Sequence, residues 1–157
     1  MVLAGKKIAL GIDIGGTRIK TVALEASQDT PNKVLSEFRM DSDAKHGPEA
    51  VRKAVRAAVD HYKKQGVDFV CIGLGCAGSV TPVTGVVLNS PNFAQWKDVP
   101  LRQWVEEDFG KPATVNNDAK CAMFTEFKLG NAVGTTNAIL LTFGTGVGGG
   151  LILNNQL

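Results

Sequence analysis

Asp13 lies two residues before a pair of glycines, in a stretch with the pattern of a β-hairpin. Residues 8–24 are rich in β-branched and other apolar side chains on both sides of Gly15, Gly16 and Thr17, which predicts strand, turn, strand. Glycines let a backbone adopt positive φ and approach a bulky group closely. The turn's amides can then hold phosphate oxygens while the Asp13 carboxylate holds a hydrated divalent cation. An ordinary hairpin fits the same pattern, so this motif alone leaves both interpretations open.

A second stretch repeats this order near the other end of the sequence. Residues 138–153 again give an apolar strand, a turn at Gly144, Thr145 and Gly146, and a glycine-rich apolar strand. Two such hairpins suggest a duplicated unit, each copy offering backbone amides to phosphate. Facing each other across a cleft, the two turns could hold a nucleotide or a polyphosphate chain from both sides. The repetition favours phosphate binding over two purely structural hairpins.

Asp118 follows a short apolar run and two asparagines, and it precedes a stretch of helical composition. Asn116 or Asn117 is expected to cap this helix. An aspartate in the first helical turn is favourable through the helix dipole alone, so a structural role is one interpretation. The other is catalytic: a carboxylate held rigidly at a strand-to-helix junction can take a proton from a hydroxyl group.

Two further segments could form a ligand pocket. Residues 69–74 form a continuous apolar run, as in a strand covered on both faces, and a loop with Gly75 and Gly78 comes directly after it. Ligands bind beyond the carboxyl ends of strands in open α/β sheets, although an ordinary exit turn fits equally well. The loop at residues 89–96 places Asn92 among aromatic side chains. That mixture suits a neutral polyol, or a surface loop pinned by its tryptophan.

The remaining pattern alternates strands and helices and predicts an α/β fold. We expect helices at about 48–65, 100–109 and 118–129, a third strand at 34–40, a small hairpin at 81–87, a short strand at 112–115 and a polar turn at 25–33. Because the first two strands pair through a tight turn, the sheet must be mixed. A Rossmann fold is therefore excluded, since its glycine turn leads into a helix.

Composition narrows the class of partner and the compartment. The 157 residues are 44% hydrophobic with a formal net charge of +2, too small a charge to favour nucleic acid as a partner. Cys71, Cys76 and Cys121 have no metal-binding spacing, which predicts reduced thiols in the cytoplasm and no structural zinc. We find no signal peptide before the first strand and no apolar run long enough for a membrane span.

Four motifs in register resemble the ROK family of sugar kinases and sugar-responsive repressors. The resemblance covers essentially the whole chain and rests on the segments DIGGT at 13–17, SPN at 90–92 followed by Trp96, NDA at 117–119, and GTGVGGG at 144–150. It implies an actin-like ATPase (ribonuclease H-like) domain. One departure is Lys120, where the family often has a second asparagine, although the aspartate is retained.

The resemblance also implies roles for the candidate residues. The two glycine turns would bind the phosphates of ATP, or of polyphosphate as an alternative donor, and Asp13 would hold Mg²⁺ through water. Asp118 would be the catalytic base acting on the primary hydroxyl of a hexose, most simply glucose. The implied phosphate set is Asp13, Gly15, Gly16, Thr17, Lys20, Gly144, Thr145 and Gly146, and the implied sugar set is Gly75, Gly78, Asn92, Asn117 and Asp118.

The resemblance divides the chain into a small α/β domain at residues 1–117 and, at 118–157, a connecting helix with the first hairpin of a second domain. Because family members continue with further sugar and adenosine ligands, we expect weak or no activity from this chain alone. An uncovered apolar hairpin at 138–153 further predicts self-association as a homodimer. A non-catalytic sugar-binding or self-associating domain is the main alternative. A repressor is less favoured because only seven residues precede Ile8.

Overall fold

The computed structural model describes residues 7–25, 33–93, 95–144 and 146–157. Its strands and helices follow in the order β1 (Ile8–Ile14), β2 (Arg18–Glu25), β3 (Lys33–Asp41), α1 (Pro48–Lys64), β4 (Cys71–Cys76), β5 (Ser79–Thr81), β6 (Val86–Asn89), β7 (Lys97–Val99), α2 (Leu101–Phe109), β8 (Ala113–Asn117), α3 (Asp118–Leu129), β9 (Ala138–Phe143) and β10 (Val147–Ile152). Most of the predicted turn at 25–33 lies outside the described residues. Within the described ranges, no helix has both the length and the apolar composition needed to cross a membrane.

The first hairpin lies inside a five-stranded sheet with the strand order β3-β2-β1-β4-β8. β2 is antiparallel to both β1 and β3, whereas β1 is parallel to β4 and β4 is parallel to β8. Parallel neighbours need crossover connections, and the chain between them contains α1 in the first case and α2 in the second. The predicted mixed sheet that starts with a β-hairpin is confirmed.

One face of this sheet is buried beneath α1 and α2. Six side chains of α1 recur at helical spacing and are at most 7% exposed, namely Val51, Ala54, Val55, Ala58, Val59 and Tyr62. This is the apolar stripe that the sequence predicts. Alternate residues of β1, from Ile8 to Ile14, join the same buried cluster. The core therefore lies between α1, α2 and one face of the sheet, and the other face remains available for a site.

An ion-pair cluster ties α1 to α2. Nε and Nη2 of Arg52 donate to Asp108 at 3.0 and 2.7 Å, and Arg56 donates to the same carboxylate. The Asp108 side chain is only 5% exposed. Hydrogen bonds from Arg56 and Arg52 hold the pKa of this carboxyl well below its ordinary value. The contact between the two helices therefore depends on an ionised Asp108.

The fourth strand differs from the sequence expectation. It begins and ends two residues later than the predicted run at 69–74, and its burial alternates, with Ile72, Leu74 and Cys76 buried. The prediction that it is covered on both faces is wrong, because only one of its faces packs into the core. Gly75 consequently belongs to the strand and not to the loop after it. A three-stranded sheet, β5-β6-β7, follows, and its third strand was not predicted.

The second hairpin forms a separate two-stranded sheet that packs on α3. A Cβ built on Gly148 would lie 3.2 Å from Cβ of Ala119, and one on Gly150 would overlap the side chain of Met123. These two glycines therefore let the strand approach the helix closely. The opposite face of the hairpin is apolar and open, with Phe143 and Val147 79% and 74% exposed. The hairpin is thus covered on one face only.

Candidate active site

The carboxyl ends of three parallel strands bring the candidate residues to one edge of the main sheet. Asp13 of β1 is in register with Gly75 of β4, and Gly75 is in register with Asn116 of β8. Asp118 follows the end of β8 as the first residue of α3. Open α/β sheets bind ligands at such strand ends. The structure thus brings both candidate carboxylates to the same edge.

These strand ends line an open cleft of about 1050 Å³ on the face of the sheet opposite α1 and α2. Of the candidate residues, Asp13, Lys20, Gly75 and Asp118 line it. Other polar lining residues were not predicted as part of a site, namely Glu37, Arg39, Asn116, Lys120, Cys121 and Thr142. Arg39 lies directly across from Lys20 in the β2–β3 register, a neighbour that could not be found without knowing that register.

Asp13 and Lys20 form a cross-strand pair inside the cleft. Their side chains are about half exposed, and Nζ of Lys20 lies 3.5 Å from Oδ2 of Asp13. An exposed pair of this kind is held weakly in water, so both groups are free to meet a ligand. Within the part of the chain that the structure describes, no three His, Cys, Asp or Glu side chains cluster around a metal position. Mg²⁺ nevertheless fits a single carboxylate, because it keeps several waters and takes its remaining ligands from substrate phosphates.

The first glycine turn is braced by its surroundings. Gly15 donates its N–H to the carbonyl of Arg18 at 2.9 Å, and the carbonyl of Thr17 accepts from the N–H of Ser42 at 3.0 Å. Neither Gly15 nor Gly16 has a φ in the left-handed region, so the expected positive φ is wrong. Glycine is needed here for close approach instead. A Cβ on Gly16 would lie 3.2 Å from the carbonyl oxygen of Asn92, which places the phosphate turn against the predicted sugar loop.

Asp118 is held at the start of α3 by local hydrogen bonds. Asn117 caps the helix, as predicted, because its Oδ1 accepts from the N–H of Lys120 at 3.1 Å. Oδ1 of Asp118 accepts from the N–H of Ala119 and from Nδ2 of Asn117, both at 2.9 Å. Among the described residues Oδ2 has no hydrogen-bond partner, and the side chain is exposed. One carboxylate oxygen is therefore fixed and the other is open to the cleft.

Two cysteines, Cys76 and Cys121, lie near both candidate carboxylates. Burial, together with the nearby charges of Asp118 and Asp13, raises the pKa of Cys76 to about 12. The same three causes, burial first, raise the pKa of Cys121. Both thiols are therefore neutral at ordinary pH, and both lie close enough to Asp118 and Asp13 to feel their charges. Neither forms a disulfide.

The predicted sugar residues are brought together through the backbone around Gly78. Its φ is 124°, and a Cβ there would overlap the carbonyl oxygen of Asn89 and lie 2.9 Å from Cα of Ser90. Its own carbonyl accepts from Nδ2 of Asn117 at 3.0 Å. Gly78 is therefore tied to the helix cap on one side and to the segment before Asn92 on the other. Asn92 is exposed and lies beside the first glycine turn.

The second glycine turn is open. No atom lies within 4 Å of a Cβ built on Gly144 or Gly146, and the turn is closed by the N–H of Gly144 donating to the carbonyl of Gly146 at 2.9 Å. Thr145 lies outside the described residues. Since Gly150 meets Met123 and Gly148 meets Ala119, the hairpin runs along α3 toward its first residue, and the turn points to the Asp118 end. Of the five described glycines at 144–150, Gly144 and Gly146 have open space around them, whereas Gly148, Gly149 and Gly150 are packed.

The chain matches the ROK family over residues 9–157. It is 36% identical over 150 residues to a glucokinase of Streptomyces coelicolor, an alignment that covers 96% of this chain and 45% of that protein. A Streptomyces griseus ROK glucokinase, solved in complex with glucose and AMPPNP, superposes with a TM-score of 0.81 at 34% identity, covering 94% of this chain and 45% of that one.

An inorganic polyphosphate/ATP-glucomannokinase from Arthrobacter sp. strain KM gives a TM-score of 0.82 at 27% identity, covering 96% of this chain and 60% of that one. The chain spans about half the length of the Streptomyces glucokinases, at 45% of each. The match to the family nevertheless extends over almost every residue of the chain itself. The chain therefore belongs to the ROK family and has the actin-like ATPase fold of the sugar kinases in that family.

Proposed function

We propose that this chain carries the phosphate turns and the catalytic base of a kinase that transfers a phosphoryl group from ATP to the primary hydroxyl of a hexose. The observation that carries the proposal is Asp118, which stands at the meeting point of three strand ends with Oδ2 open to the cleft. The relatives named glucokinase support the reaction class. Glucose is the hexose we propose, since a neighbouring structure holds glucose with an ATP analogue.

In the proposed reaction the hexose hydroxyl oxygen attacks the γ-phosphorus of ATP while the bond to the bridging oxygen breaks. Oδ2 of Asp118 accepts the hydroxyl proton, and ADP leaves with the electron pair of the broken bond. Such transfers need little covalent help from the protein, because alignment and charge neutralisation supply most of the acceleration. The bonds that fix Oδ1 of Asp118 support this role, since they keep the base in one orientation.

The donor would lie between the two glycine turns. We assign its phosphates to the amides at Gly15, Gly16 and Thr17, with Lys20 as a positive charge, and to the second turn at Gly144, Thr145 and Gly146. Mg²⁺, when bound, would neutralise phosphate charge beside Asp13, which would hold it through water. Polyphosphate remains an alternative donor, supported by the structural neighbour from Arthrobacter, a polyphosphate/ATP-glucomannokinase.

The sugar would lie on the Asn92 side of Asp118. Gly75 lines the cleft beside Asp118, and Asn92 offers an exposed amide for hydroxyls. Oδ1 of Asn117 accepts one hydrogen bond within the protein, so its second lone pair can accept another from a sugar hydroxyl next to Asp118. The packing of Asn92 against Gly16 supports an arrangement in which sugar and phosphate sites adjoin.

We further propose that residues 1–117 act as the sugar-side domain and that 118–157 connect it to a second domain. On this division the chain alone has weak or no activity, because its relatives are about twice as long. The three free thiols suit a reducing compartment, so we place the reaction in the cytoplasm.

The open face of the second hairpin supports self-association. It carries Ile139, Leu141, Phe143, Val147 and Leu151, each at least 48% exposed. Antiparallel register places all five side chains on one face, with no charged residue between them. A two-fold contact between copies would bury apolar groups without burying an unpaired charge, so we propose a homodimer through this face.

The test of the kinase is Asp118→Asn in the full-length protein that contains this chain. Turnover is followed as ADP release with a panel of hexoses, and we expect a loss on the order of 10²–10⁴-fold because the amide cannot accept the proton. The matched control is Asp60→Asn, the same change on the exposed surface of α1, which should leave turnover unchanged. Turnover of the Asp118 variant within a few-fold of the parent would overturn the assignment. If none of the hexoses in the panel supports ADP release by the parent protein, the non-catalytic alternative is favoured.

A further inference from the structure

The side-chain amide of Asn117 is fully committed within the protein as a donor. An asparagine amide has two N–H groups, and here one donates to the carbonyl of Gly78 at 3.0 Å and the other to Oδ1 of Asp118 at 2.9 Å. Its oxygen meanwhile caps α3 through the N–H of Lys120. Asn117 therefore has no donor left for a sugar hydroxyl, which limits what it can do as a sugar ligand.

The bond to Asp118 decides which of its oxygens acts as the base. Nδ2 of Asn117 and the N–H of Ala119 both reach Oδ1, which fixes the plane of the carboxylate and its rotation. Oδ2 is then the oxygen directed away from these donors. Without Nδ2, the carboxylate would keep only the Ala119 bond and could rotate about its side-chain torsion.

The bond to Gly78 extends this control to the ligand loops. Gly78 packs so closely against Asn89 and Ser90 that a Cβ would not fit between the two segments. Two residues further on, the carbonyl of Asn92 lies against Gly16. A continuous series of contacts thus runs from the base through Asn117 and Gly78 to the sugar loop and then to the first phosphate turn.

We propose that Asn117 is a positioning residue that sets the orientation of the Asp118 base and links it to the loop at Gly78. The proposal rests on the kinase function proposed above. It predicts that losing the Asn117 amide slows the chemical step, whereas losing a pure sugar ligand would weaken binding of the hexose.

Asn117→Ser separates the capping role from the positioning role. Serine caps helices about as well as asparagine, but it lacks the amide that reaches Asp118 and Gly78. In full-length kinase we expect kcat to fall about 10- to 100-fold with the hexose KM within about 3-fold of the parent, because misplacing a reacting group affects turnover more than binding. Asn131→Ser, the same change on the exposed segment after α3, is the matched control and should alter neither constant. A raised KM with unchanged kcat, or no change in either, would overturn the proposal.

Hydrogen exchange of the 157-residue chain tests the same role without turnover. In Asn117→Ser the N–H of Ala119 should exchange at least about 10-fold faster, since its acceptor is no longer held, while the capped N–H of Lys120 stays protected. Unchanged protection of Ala119 would show that Asp118 is oriented without Asn117 and would overturn the proposal. The two proposals fail separately: retained turnover in Asp118→Asn removes the kinase assignment, whereas the exchange result concerns only how residue 118 is held.

Discussion

The two hairpins share one sequence pattern but have different surroundings. β1 and β2 lie between β3 and β4 in a five-stranded sheet, and Ile14 and Ile19, on either side of their turn, are fully buried. β9 and β10 pair only with each other among the described strands, and Ile139 in β9 is 69% exposed. The first turn is packed against Asn92, whereas the second has open space around both of its described glycines.

This difference shows that the hairpin motif determines the local strand–turn–strand structure, whereas the neighbouring elements determine how deeply each hairpin is buried. Strand, glycine turn and strand are encoded locally in both copies, so both form. Burial depends instead on the elements that arrive from elsewhere in the chain: α1 packs on the first hairpin through β2, while α3 covers one face of the second. We expect the first hairpin to contribute stability and the second to contribute surface for binding.

Replacing one isoleucine in each hairpin with alanine tests this contrast, and we expect the largest change in stability here. Ile19→Ala should lower the free energy of unfolding by about 2–5 kcal/mol, because it leaves a cavity in a closed core. Ile139→Ala should change the free energy of unfolding of the monomer by less than about 1 kcal/mol, since that side chain is exposed in the single chain and only strand propensity is lost. Urea unfolding followed by tryptophan fluorescence measures both. Equal losses at the two positions would mean that the second hairpin is as deeply buried as the first.

The ion pairs between α1 and α2 should give the next largest change in stability, and this change should depend on pH. Asp108→Asn should cost about 1.5–3 kcal/mol at neutral pH, because the three hydrogen bonds from Arg52 and Arg56 lose their charged acceptor. Since the folded pKa of Asp108 lies below its unfolded value, its stabilisation is present above about pH 4 and is lost as pH falls. Unfolding at about pH 7 and about pH 3 should therefore show a smaller pH dependence in the variant than in the parent. Parallel losses in both proteins would place the acid sensitivity elsewhere.

The glycines at the two turns test packing on a smaller scale. Gly16→Ala should destabilise the fold by about 1 kcal/mol, because its methyl group would press on the Asn92 carbonyl. Gly146→Ala should be close to neutral, because nothing lies within 4 Å of a Cβ built there. Thermal unfolding of the two variants side by side measures the difference. Destabilisation by Gly146→Ala alone would reverse our assignment of the packed turn and the open turn.

A charge placed in the open face of the second hairpin should weaken association between copies and leave the stability of the monomer almost unchanged. Phe143→Lys places a charge in that face, and we expect the dimer to dissociate while the free energy of unfolding of the monomer changes by less than about 0.5 kcal/mol. Light scattering coupled to size-exclusion chromatography gives the mass. Val83→Lys, at an equally exposed valine of the β5–β6 turn, is the control and should leave the dimer intact. A monomeric parent chain at micromolar concentration would contradict the proposed homodimer.

Local patterns predicted most of the elements from the sequence. The stripe from Val51 to Tyr62 appears as predicted, and so do the capped helix at Asp118 and both hairpins. Each of these is set by neighbours within a few residues, through periodicity, capping or turn chemistry. The family resemblance rested on the same short segments.

Features that depend on distant contacts were not predicted. The glycines at 15 and 16 suggested positive φ, yet Gly15 makes room for the Arg18 carbonyl of its own turn and Gly16 for Asn92, in a loop that only the fold brings close. Gly148 and Gly150 belong to the glycine-rich motif at 144–150, and only the fold shows that they make room for α3. Likewise, nothing local to Asn117 indicates that it bonds to Gly78, 39 residues earlier in the chain.

Above all, we propose that the two glycine turns bind the same phosphate chain, with one turn on each side of Asp118. The most direct test is a titration of the ¹⁵N-labelled 157-residue chain with Mg²⁺ and AMPPNP, following the backbone amides by NMR. We predict that the resonances of Gly15, Gly16, Gly144 and Gly146 shift together and saturate with a single Kd. Shifts confined to one turn, or two turns that saturate at different concentrations, would contradict a shared phosphate site.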